Sequence, residues 1–308
     1  MPSSAASEGP RQRIKPIKKH SLTRVYNYRM SRNFKDPRIR TEGDKINCSL
    51  DELAEWERCY EDPIHFINTW CLVKGKKFTL YPHQEEIVRV WQDSNATMLL
   101  SARQMGISTV IALLALHEAC FAYWGRDDGY SMKGSLCSVL SATMKSSSHK
   151  LDIIRECYLS LPMWLKPVVL IWEDLRIQFT TGEILAHSQV IAIGYGTDRV
   201  FIDDSSWFHT HYSFPIQETL SRRGKIFMAN TGKKSSVFLI LLEAAEESEN
   251  SRFHTMRISW DVHPKWNSDW ENHQRHLLNR EGGEMSFESQ FVMIRPIQWI
   301  QIRGKCRE

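Results

Sequence analysis

A stretch in the first half of the chain contains residue types that are suited to holding a phosphate group. Residues 97–114 read TMLLSARQMGISTVIALL. An apolar, strand-like segment leads into a turn of small and polar residues, and an apolar, helix-like segment follows. Backbone N–H groups at the start of a helix that follows such a turn can surround an anion. The pattern therefore predicts a phosphate-binding loop.

This loop departs from the usual motif, G-x-x-x-x-G-K-S/T, at two positions. Ser101 stands at the first glycine and Ile107 at the lysine, whereas Gly106 and Ser108 agree with the motif. The backbone part of the predicted site is thus present, and the positive charge is missing from its usual position.

Two acids are predicted to lie at the same site. Asp203 and Asp204 follow an apolar run, which is typical of a buried parallel strand with carboxylates at its carboxyl end. Phosphoryl transfer from ATP requires a backbone cradle, positive charge, Mg²⁺ and a carboxylate that positions water. We therefore expect Ser108 to reach Mg²⁺ and Asp203 to hold the ion through water.

Strand-like and helix-like segments alternate around these residues. Strand patterns occur at 135–142, 198–202, 225–230 and 253–260, and helical patterns at 50–73, 85–92, 146–161 and 237–247. Ser49 and Asp51 are candidates for capping the first helix. A hairpin of short strands is predicted at 170–172, 176–179 and 184–186. The alternation predicts an α/β fold with a mostly parallel central sheet and helices on both faces.

The composition is that of a globular protein. The 308 residues include 25% charged and 42% hydrophobic residues, and the formal net charge is +4. No apolar run approaches the roughly 18 residues that span a bilayer, and the N-terminus has no signal-peptide core, so we expect no membrane association. Seven cysteines without a C-x-x-C pair predict reduced thiols and argue against a zinc site or a disulfide framework.

Basic residues are concentrated near the N-terminus. Residues 1–45 combine many Lys and Arg residues with few acids and little periodicity, which predicts a flexible basic arm. Such an arm either contacts DNA or a portal through its charge or is a solvated tail. The pattern fits both interpretations.

The loop resembles that of large terminase subunits, the DNA-packaging motors of tailed phages, whose usual form is S-R-Q-x-G-K-S/T-T. The matching residues are Arg103, Gln104, Gly106, Ser108 and Thr109. Ile107 stands where the family has its lysine. The resemblance implies a P-loop NTPase of the additional-strand type with a β-hairpin insertion.

Segments before and after the loop extend the resemblance to about residues 55–291. Upstream, the family pattern D-P-x-x-F-I followed by G-x-x-F-x-L-Y-x-Y-Q is matched by Asp62-Pro63, Phe66-Ile67, Gly75, Phe78, Leu80-Tyr81 and Gln84. In the family this Tyr/Gln pair lies beside the adenine; without the resemblance, Gln84 would be interpreted as a surface residue. Downstream, residues 258–265, Trp270 and residues 287–291 resemble the end of the family's ATPase region.

The resemblance assigns roles to individual residues. It implies ATP and Mg²⁺ as cofactors, Arg103 as an arginine finger, Asp203 with Ser108 as metal ligands, and Asp204 at the position of the catalytic base. The predicted nucleotide-binding residues are Tyr81, Gln84, Ala102, Arg103, Gln104, Met105, Gly106, Ile107, Ser108, Thr109, Asn230 and Thr231. The last two belong to the segment that couples hydrolysis to movement in the family.

The resemblance also implies an organisation and partners. We expect a basic arm at 1–45, an ATPase domain at 46–292 and a short tail at 293–308. The tail lacks the acidic cluster of the nuclease that follows in full terminases, so we expect no DNA cleavage. The implied partners are double-stranded DNA, a portal or procapsid and a small terminase subunit. A homo-oligomeric ring is also implied, in the host cytoplasm and transiently at the procapsid portal.

Several departures from the family bear on activity. Losing the lysine charge at Ile107 is expected to reduce the rate by about 10²–10³-fold. Asp204 is one methylene shorter than the family's Glu, and a displacement of ~1 Å reduces the rate by about 10²-fold. The coupling segment, T-T-T-P-x-G in the family, reads ANTGKK at 229–234, and Ile193 replaces an Arg.

Three functions therefore remain open from the sequence. The first is an ATP-driven packaging motor or its separate ATPase subunit, with weak hydrolysis unless Lys233 or another lysine supplies the missing charge. The second is a pseudo-ATPase that binds DNA, nucleotide or packaging partners without hydrolysis. The third is a remnant without function. His209 and His211 are interpreted as solvated loop residues rather than metal ligands.

Overall fold

The protein is described here from a computed structural model, over residues 36–121, 135–188, 197–205, 224–231, 237–280 and 287–292. Most of the predicted arm and all of the predicted tail lie outside these residues. Ile39 and Arg40, near the end of the predicted arm, pack on the domain. Ile39 is buried, and the Arg40 backbone N–H donates to the Tyr158 hydroxyl at 3.3 Å. The packed domain therefore begins before residue 46.

The helical pattern at 50–73 forms two helices, α1 (Leu50–Glu61) and α2 (Pro63–Trp70). The Asp62 side chain accepts hydrogen bonds from the backbone N–H groups of Ile64 and His65, at 2.9 and 3.1 Å, and so caps α2. Pro63 occupies the first turn of α2, where its missing N–H is tolerated. Ser49 caps α1 in a capping box with Glu52, which confirms one of the two predicted capping residues.

Within the described residues, eight strands form the main sheet, and a separate pair, β1 (Leu72–Val73) and β2 (Lys76–Lys77), precedes it. The eight are β3 (Ala96–Ser101), β4 (Ser135–Ser141), β5 (Val169–Glu173), β6 (Arg176–Phe179), β7 (Gly182–Ser188), β8 (Arg199–Ile202), β9 (Lys225–Thr231) and β10 (His254–Ile258). Their order is β10-β3-β9-β8-β4-β7-β6-β5. The strands from β10 to β7 are parallel, and β6 and β5 add an antiparallel hairpin.

This topology confirms the predicted fold class. The strand β9 lies between β3, which leads into the predicted loop, and β8, which leads into Asp203. That inserted strand defines the additional-strand arrangement. Because all of these strands are parallel, their carboxyl ends meet at one edge of the sheet, where ligands of open α/β sheets bind.

The part of the chain that the structure describes also contains the helices α3 (Pro82–Asp93), α4 (Ile107–Phe121), α5 (Met144–Ser160), α6 (Val237–Glu247), α7 (Ser268–Arg280) and α8 (Phe287–Phe291). Phe238 and Leu242 of α6 pack on one face of the sheet. Val200 and Ile202 of β8 and Ile226 and Met228 of β9 belong to the same cluster as α6. The alternate residues Phe201 and Phe227 lie on the other face of the sheet, where Trp91 of α3 packs against both. Both faces are thus covered, as predicted.

The loop helix α4 is buried almost all round, which is typical of a helix inside a large core. It packs against α5 and against β4 and β7. No described helix is both long and apolar enough to span a bilayer. The six cysteines of the described residues are free.

Gly182, at the start of β7, lies close to the backbones of α4 and β4. A Cβ there would lie 2.7 Å from the Ala119 carbonyl oxygen and 2.9 Å from the Ser135 carbonyl oxygen. We expect Gly182→Ala to lower the free energy of unfolding by about 1–3 kcal/mol, because backbone atoms must move to admit the methyl group. Denaturant unfolding measures the change. Gly43→Ala is the control, since a Cβ at Gly43 meets no atom within 4 Å; equal stability of the two variants would contradict the packing argument.

Candidate nucleotide site

The predicted loop joins β3 to α4 in a conformation that brings its N–H groups together. Gln104 has φ 63° and Gly106 has φ 77°, both in the left-handed region that few non-glycine residues adopt. Alternating right- and left-handed residues turn successive N–H groups toward one point and form an anion-binding concavity. The loop therefore has the backbone geometry that its residue types predict.

Hydrogen bonds at its start hold the loop in place. The Ala102 N–H donates to the Ile258 carbonyl at 2.8 Å, and the Arg103 N–H donates to the Gln290 carbonyl at 3.1 Å. Among the described residues, the N–H groups of 104–108 donate to no protein acceptor. These groups lie at the N-terminus of α4, where the helix dipole favours an anion. The loop thus presents several N–H donors, and hydrogen bonds to the carbonyls of Ile258 and Gln290 hold its first residues in place.

Gln84 supports the loop from α3. Its Nε2 donates to the Met105 carbonyl at 2.9 Å, and its Oε1 accepts from the Tyr81 backbone N–H at 3.0 Å. A Cβ on Gly106 would lie 2.6 Å from that Nε2. Gly106 is therefore required both by its φ and by the Gln84 amide. Both polar ends of Gln84 are used by the backbone, so in this conformation the side chain holds the loop.

Tyr81, whose backbone N–H binds Gln84, belongs to a cluster of aromatic rings. The Tyr81 ring contacts those of His83 and His263, with centroids 5.8 and 4.9 Å apart. Burial lowers the pKa of both histidines from the usual 6.5, and for His263 the neighbouring His83 and Lys265 lower it further. Both rings are therefore neutral at pH 7. The predicted adenine contacts of Tyr81 and Gln84 stay predictions.

The structure brings the predicted metal ligands together. Ser108 Oγ donates to Asp203 Oδ2 at 2.7 Å. Asp203 follows β8, and its backbone N–H donates to the Leu140 carbonyl of β4 at 2.9 Å. The next residue, Asp204, is exposed and has φ 55°. Such backbone strain in a non-glycine residue is concentrated at functional sites.

A lysine that the sequence did not single out lies in this cluster. Lys150 Nζ is 2.6 Å from Asp203 Oδ2, and Lys150 is only 2% exposed. Nζ also donates to Ser141 Oγ at 2.8 Å and to the Ser146 carbonyl at 3.2 Å. Lys150 lies in α5, within an ordinary helical pattern of mixed polar and apolar residues. Nothing in its local sequence indicates that its side chain turns toward an acid more than fifty residues away.

A cavity of about 450 Å³ lies at the carboxyl edge of the sheet, beside the loop and the two acids. Its lining combines the loop, the two acids, one residue of α5 and the end of β9. The residues are Ser101, Ala102, Arg103, Gln104, Met105, Gly106, Ile107, Ser108, Ser146, Asp203, Asp204, Ala229, Asn230 and Thr231. Most of the predicted site residues therefore meet at one place.

Asn230 is buried in this lining without a partner. It is 2% exposed, and neither its Oδ1 nor its Nδ2 has a hydrogen-bond partner among the described residues. An unsatisfied buried amide is destabilising by roughly 1–3 kcal/mol. The Asn230 amide therefore lies in the cavity lining with its hydrogen-bonding capacity unused among the described residues.

Some predicted residues lie elsewhere. Thr109 is in the first turn of α4, with its N–H donating to the Gly106 carbonyl at 3.1 Å. By contrast, Ile107 does belong to the cavity lining, but it is only 7% exposed, so its side chain is largely buried. Ile193, His209, His211 and Lys233 lie outside the described residues.

A second group of potential metal ligands, Glu55, Cys59 and His65, joins α1 to α2. Glu55 Oε1 lies 2.6 Å from His65 Nε2, and Trp70 Nε1 donates to it at 2.9 Å. Burial raises the pKa of the Cys59 thiol to about 12, so Cys59 is a neutral thiol at pH 7. The carboxylate is already satisfied by these neighbours, and the group forms a hydrogen-bond network.

Comparison with known proteins identifies solved structures of similar fold. No protein-family model matches the chain. The large terminase ATPase domain of the Thermus phage P74-26 is similar in structure, with 19% sequence identity and a TM-score of 0.52 over 70% of this chain and 93% of that one. The large terminase of a second thermophilic bacteriophage, solved in complex with ATP-gamma-S, matches 69% of this chain and 51% of its own, with 10% identity and a TM-score of 0.46. The likeness to the P74-26 domain shows that the chain has the fold of a phage large terminase ATPase domain.

Proposed function

We propose that this chain is the nucleotide-binding domain of a viral DNA-packaging motor, and that it binds ATP with Mg²⁺ in the cavity beside the loop. One observation carries the proposal: free loop N–H groups, the Ser108–Asp203 pair and the unpartnered Asn230 amide line a single cavity. Its volume of about 450 Å³ lies within the usual range for small-ligand sites.

The residues present fit both components of the ligand. The N–H groups of 104–108 suit phosphate oxygens. The Ser108 hydroxyl and the Asp203 carboxylate are oxygen ligands of the kind that Mg²⁺ prefers. The ion, when bound, neutralises phosphate charge. Asn230 suits a ligand that both donates and accepts hydrogen bonds, or a phosphate together with water.

The same lining supplies residues for hydrolysis. Asp204 carries an exposed carboxylate next to the metal ligand Asp203 and suits the role of the base that orients water. Arg103 lies on the lining, where its guanidinium can offset phosphate charge. The Asp204 side chain is shorter than that of Glu, so we expect hydrolysis to be slow rather than fast.

A non-hydrolysing subunit is the second candidate, and the buried Ile107 favours it. A phosphate loop without its lysine retains the N–H groups for binding and loses a cation that would stabilise the transition state. Either function would operate with double-stranded DNA, a portal or procapsid and a small terminase subunit in the host cytoplasm. A ring of copies of this chain at the portal belongs to the same proposal, and the terminase-like fold is its support.

Hydrolysis is tested by steady-state phosphate release with and without double-stranded DNA. We expect slow release by the unmodified chain and none by Asp203→Ala, because the metal ligand is gone. Asp204→Glu should accelerate release by up to about 10²-fold, since it extends the carboxylate by ~1 Å toward the water.

Nucleotide binding by all three proteins, measured by calorimetry, is the control for this series. Binding without phosphate release in both the unmodified chain and Asp204→Glu would contradict the hydrolytic function and support the non-hydrolysing subunit. The absence of nucleotide binding by the unmodified chain would contradict both.

The unpartnered amide gives a second prediction with two opposite effects. Asn230→Leu should raise the free energy of unfolding by about 1–2 kcal/mol, because it removes buried polar atoms that lack partners. The same change should weaken ATP binding at least about tenfold, since the charged phosphate group loses a hydrogen-bonding neighbour.

Thr97→Val provides a matched control for that result. Thr97 Oγ1 is also buried without a partner, but Thr97 lies on β3 away from the cavity lining. This variant should gain stability and keep its affinity. Unchanged ATP affinity in Asn230→Leu, measured by calorimetry, would exclude Asn230 as a ligand.

A further inference from the structure

We propose that Lys150 supplies, from α5, the positive charge that the phosphate site needs and that Ile107 does not provide. The inference rests on the proposed function, because it assigns a binding residue to the same cavity. In this proposal Lys150 provides the positive charge of the usual loop lysine, although Lys150 belongs to α5 and not to the loop.

The first argument is position. Asp203 Oδ2 accepts from Ser108 Oγ at 2.7 Å and lies 2.6 Å from Lys150 Nζ. One carboxylate oxygen therefore joins the ammonium group to the first turn of the phosphate-loop helix. Ser146, whose Oγ is 3.4 Å from Nζ, also lines the cavity. The ammonium lies directly behind the cavity wall.

The second argument is burial. A lysine that is 2% exposed is rare unless its charge is paired. Lys150 Nζ has Asp203, Ser141 and Ser146 as partners, which accounts for its three N–H donors. The chain thus maintains a fully hydrogen-bonded cation at the one place where a triphosphate would bring several negative charges.

The third argument is charge balance. Asp203 and Asp204 place two carboxylates on the lining of a cavity proposed to hold an anion. Arg103 lies on that lining, and Lys150 pairs with one of the acids. The Lys150–Asp203 pair is largely buried, and charges in such surroundings are only weakly screened. Lys150 reduces the repulsion between the acids and the phosphates, which is the electrostatic role of a loop lysine.

The anchoring of α5 suits this role. Thr143 caps the helix by accepting from the Ser146 N–H at 3.2 Å, and the Ser147 Oγ donates to the His187 carbonyl of β7 at 2.5 Å. The backbone that carries Lys150 is therefore fixed to the sheet. Asp203 would hold Mg²⁺, and the flexible four-carbon stem of Lys150 would let its ammonium group reach a phosphate oxygen.

Titration calorimetry with ATP and Mg²⁺ tests the assignment. We expect Lys150→Met to weaken binding by about 10- to 100-fold, the effect of losing one charged hydrogen bond. Lys166→Met is the matched control. Lys166 is 3% exposed and donates to the carbonyls of Arg38 and Leu159 at 2.9 and 3.1 Å, so it is a buried lysine with different partners. Its replacement should leave the affinity unchanged.

Moving the charge distinguishes a binding role from a structural one. The double variant Ile107→Lys with Lys150→Met should recover most of the lost affinity, because it returns an ammonium group to the usual loop position. A lysine that only stabilised Asp203 would not be replaced in this way. Unchanged affinity in Lys150→Met, or no recovery in the double variant, overturns the proposal.

A second comparison keeps the test decisive if Lys150→Met does not fold. Asp203→Asn removes the charge that Lys150 pairs with. ATP binding by this variant is therefore compared with ATP binding by the double variant that also carries Lys150→Met. Both are measured in EDTA, where no metal ligand is needed. We expect at least about tenfold weaker ATP binding in the double variant; equal binding overturns the role of Lys150. If the unmodified chain binds no ATP, the proposed function itself fails, a result distinct from these.

Discussion

One carboxylate oxygen, Asp203 Oδ2, connects the three elements that form the candidate site. Ser108 comes from α4, Lys150 from α5 and Asp203 from the end of β8, and their polar atoms meet within hydrogen-bonding distance of that oxygen. A second contact, the ion pair between Arg199 of β8 and Glu118 of α4 at 2.9 Å, joins the same strand and helix at their other ends. Loss of one partner of a buried ion pair strongly destabilises a protein. The position of the loop relative to the acids at the carboxyl edge therefore depends on this oxygen.

The backbone of the site is strained where the chemistry is proposed. Gln104, Gly106 and Asp204 all have positive φ, and all three line the same cavity. The sheet beneath them is regular, with β3 fully buried and paired on both sides. Strained residues persist when the surrounding structure determines their conformation. Here that structure includes Gln84 and the carbonyls of Ile258 and Gln290, which hold the loop from behind.

The sequence predicted the fold class, the loop and the paired acids because each depends on local pattern. Alternating strands and helices imply a parallel sheet, and an apolar run followed by Asp203 and Asp204 marks a strand end. The break at Asp62 within the first helical pattern was missed, although Pro63 marks it, because the apolar periodicity continues through both helices. The role of Gln84 as a support for the loop and the burial of Lys150 beside Asp203 depend on contacts between distant segments, and neither has a local signature.

The inserted strand β9 also sets the width of the candidate site. Two strand spacings, roughly 10 Å, separate the backbones of β3 and β8, and the Ser108–Asp203 hydrogen bond joins the segments that follow these strands at the carboxyl edge. The ladders of β9 with both neighbours are continuous over their paired residues. The sheet itself therefore fixes the distance between the loop and Asp203, and a ligand bound between them has to match that spacing.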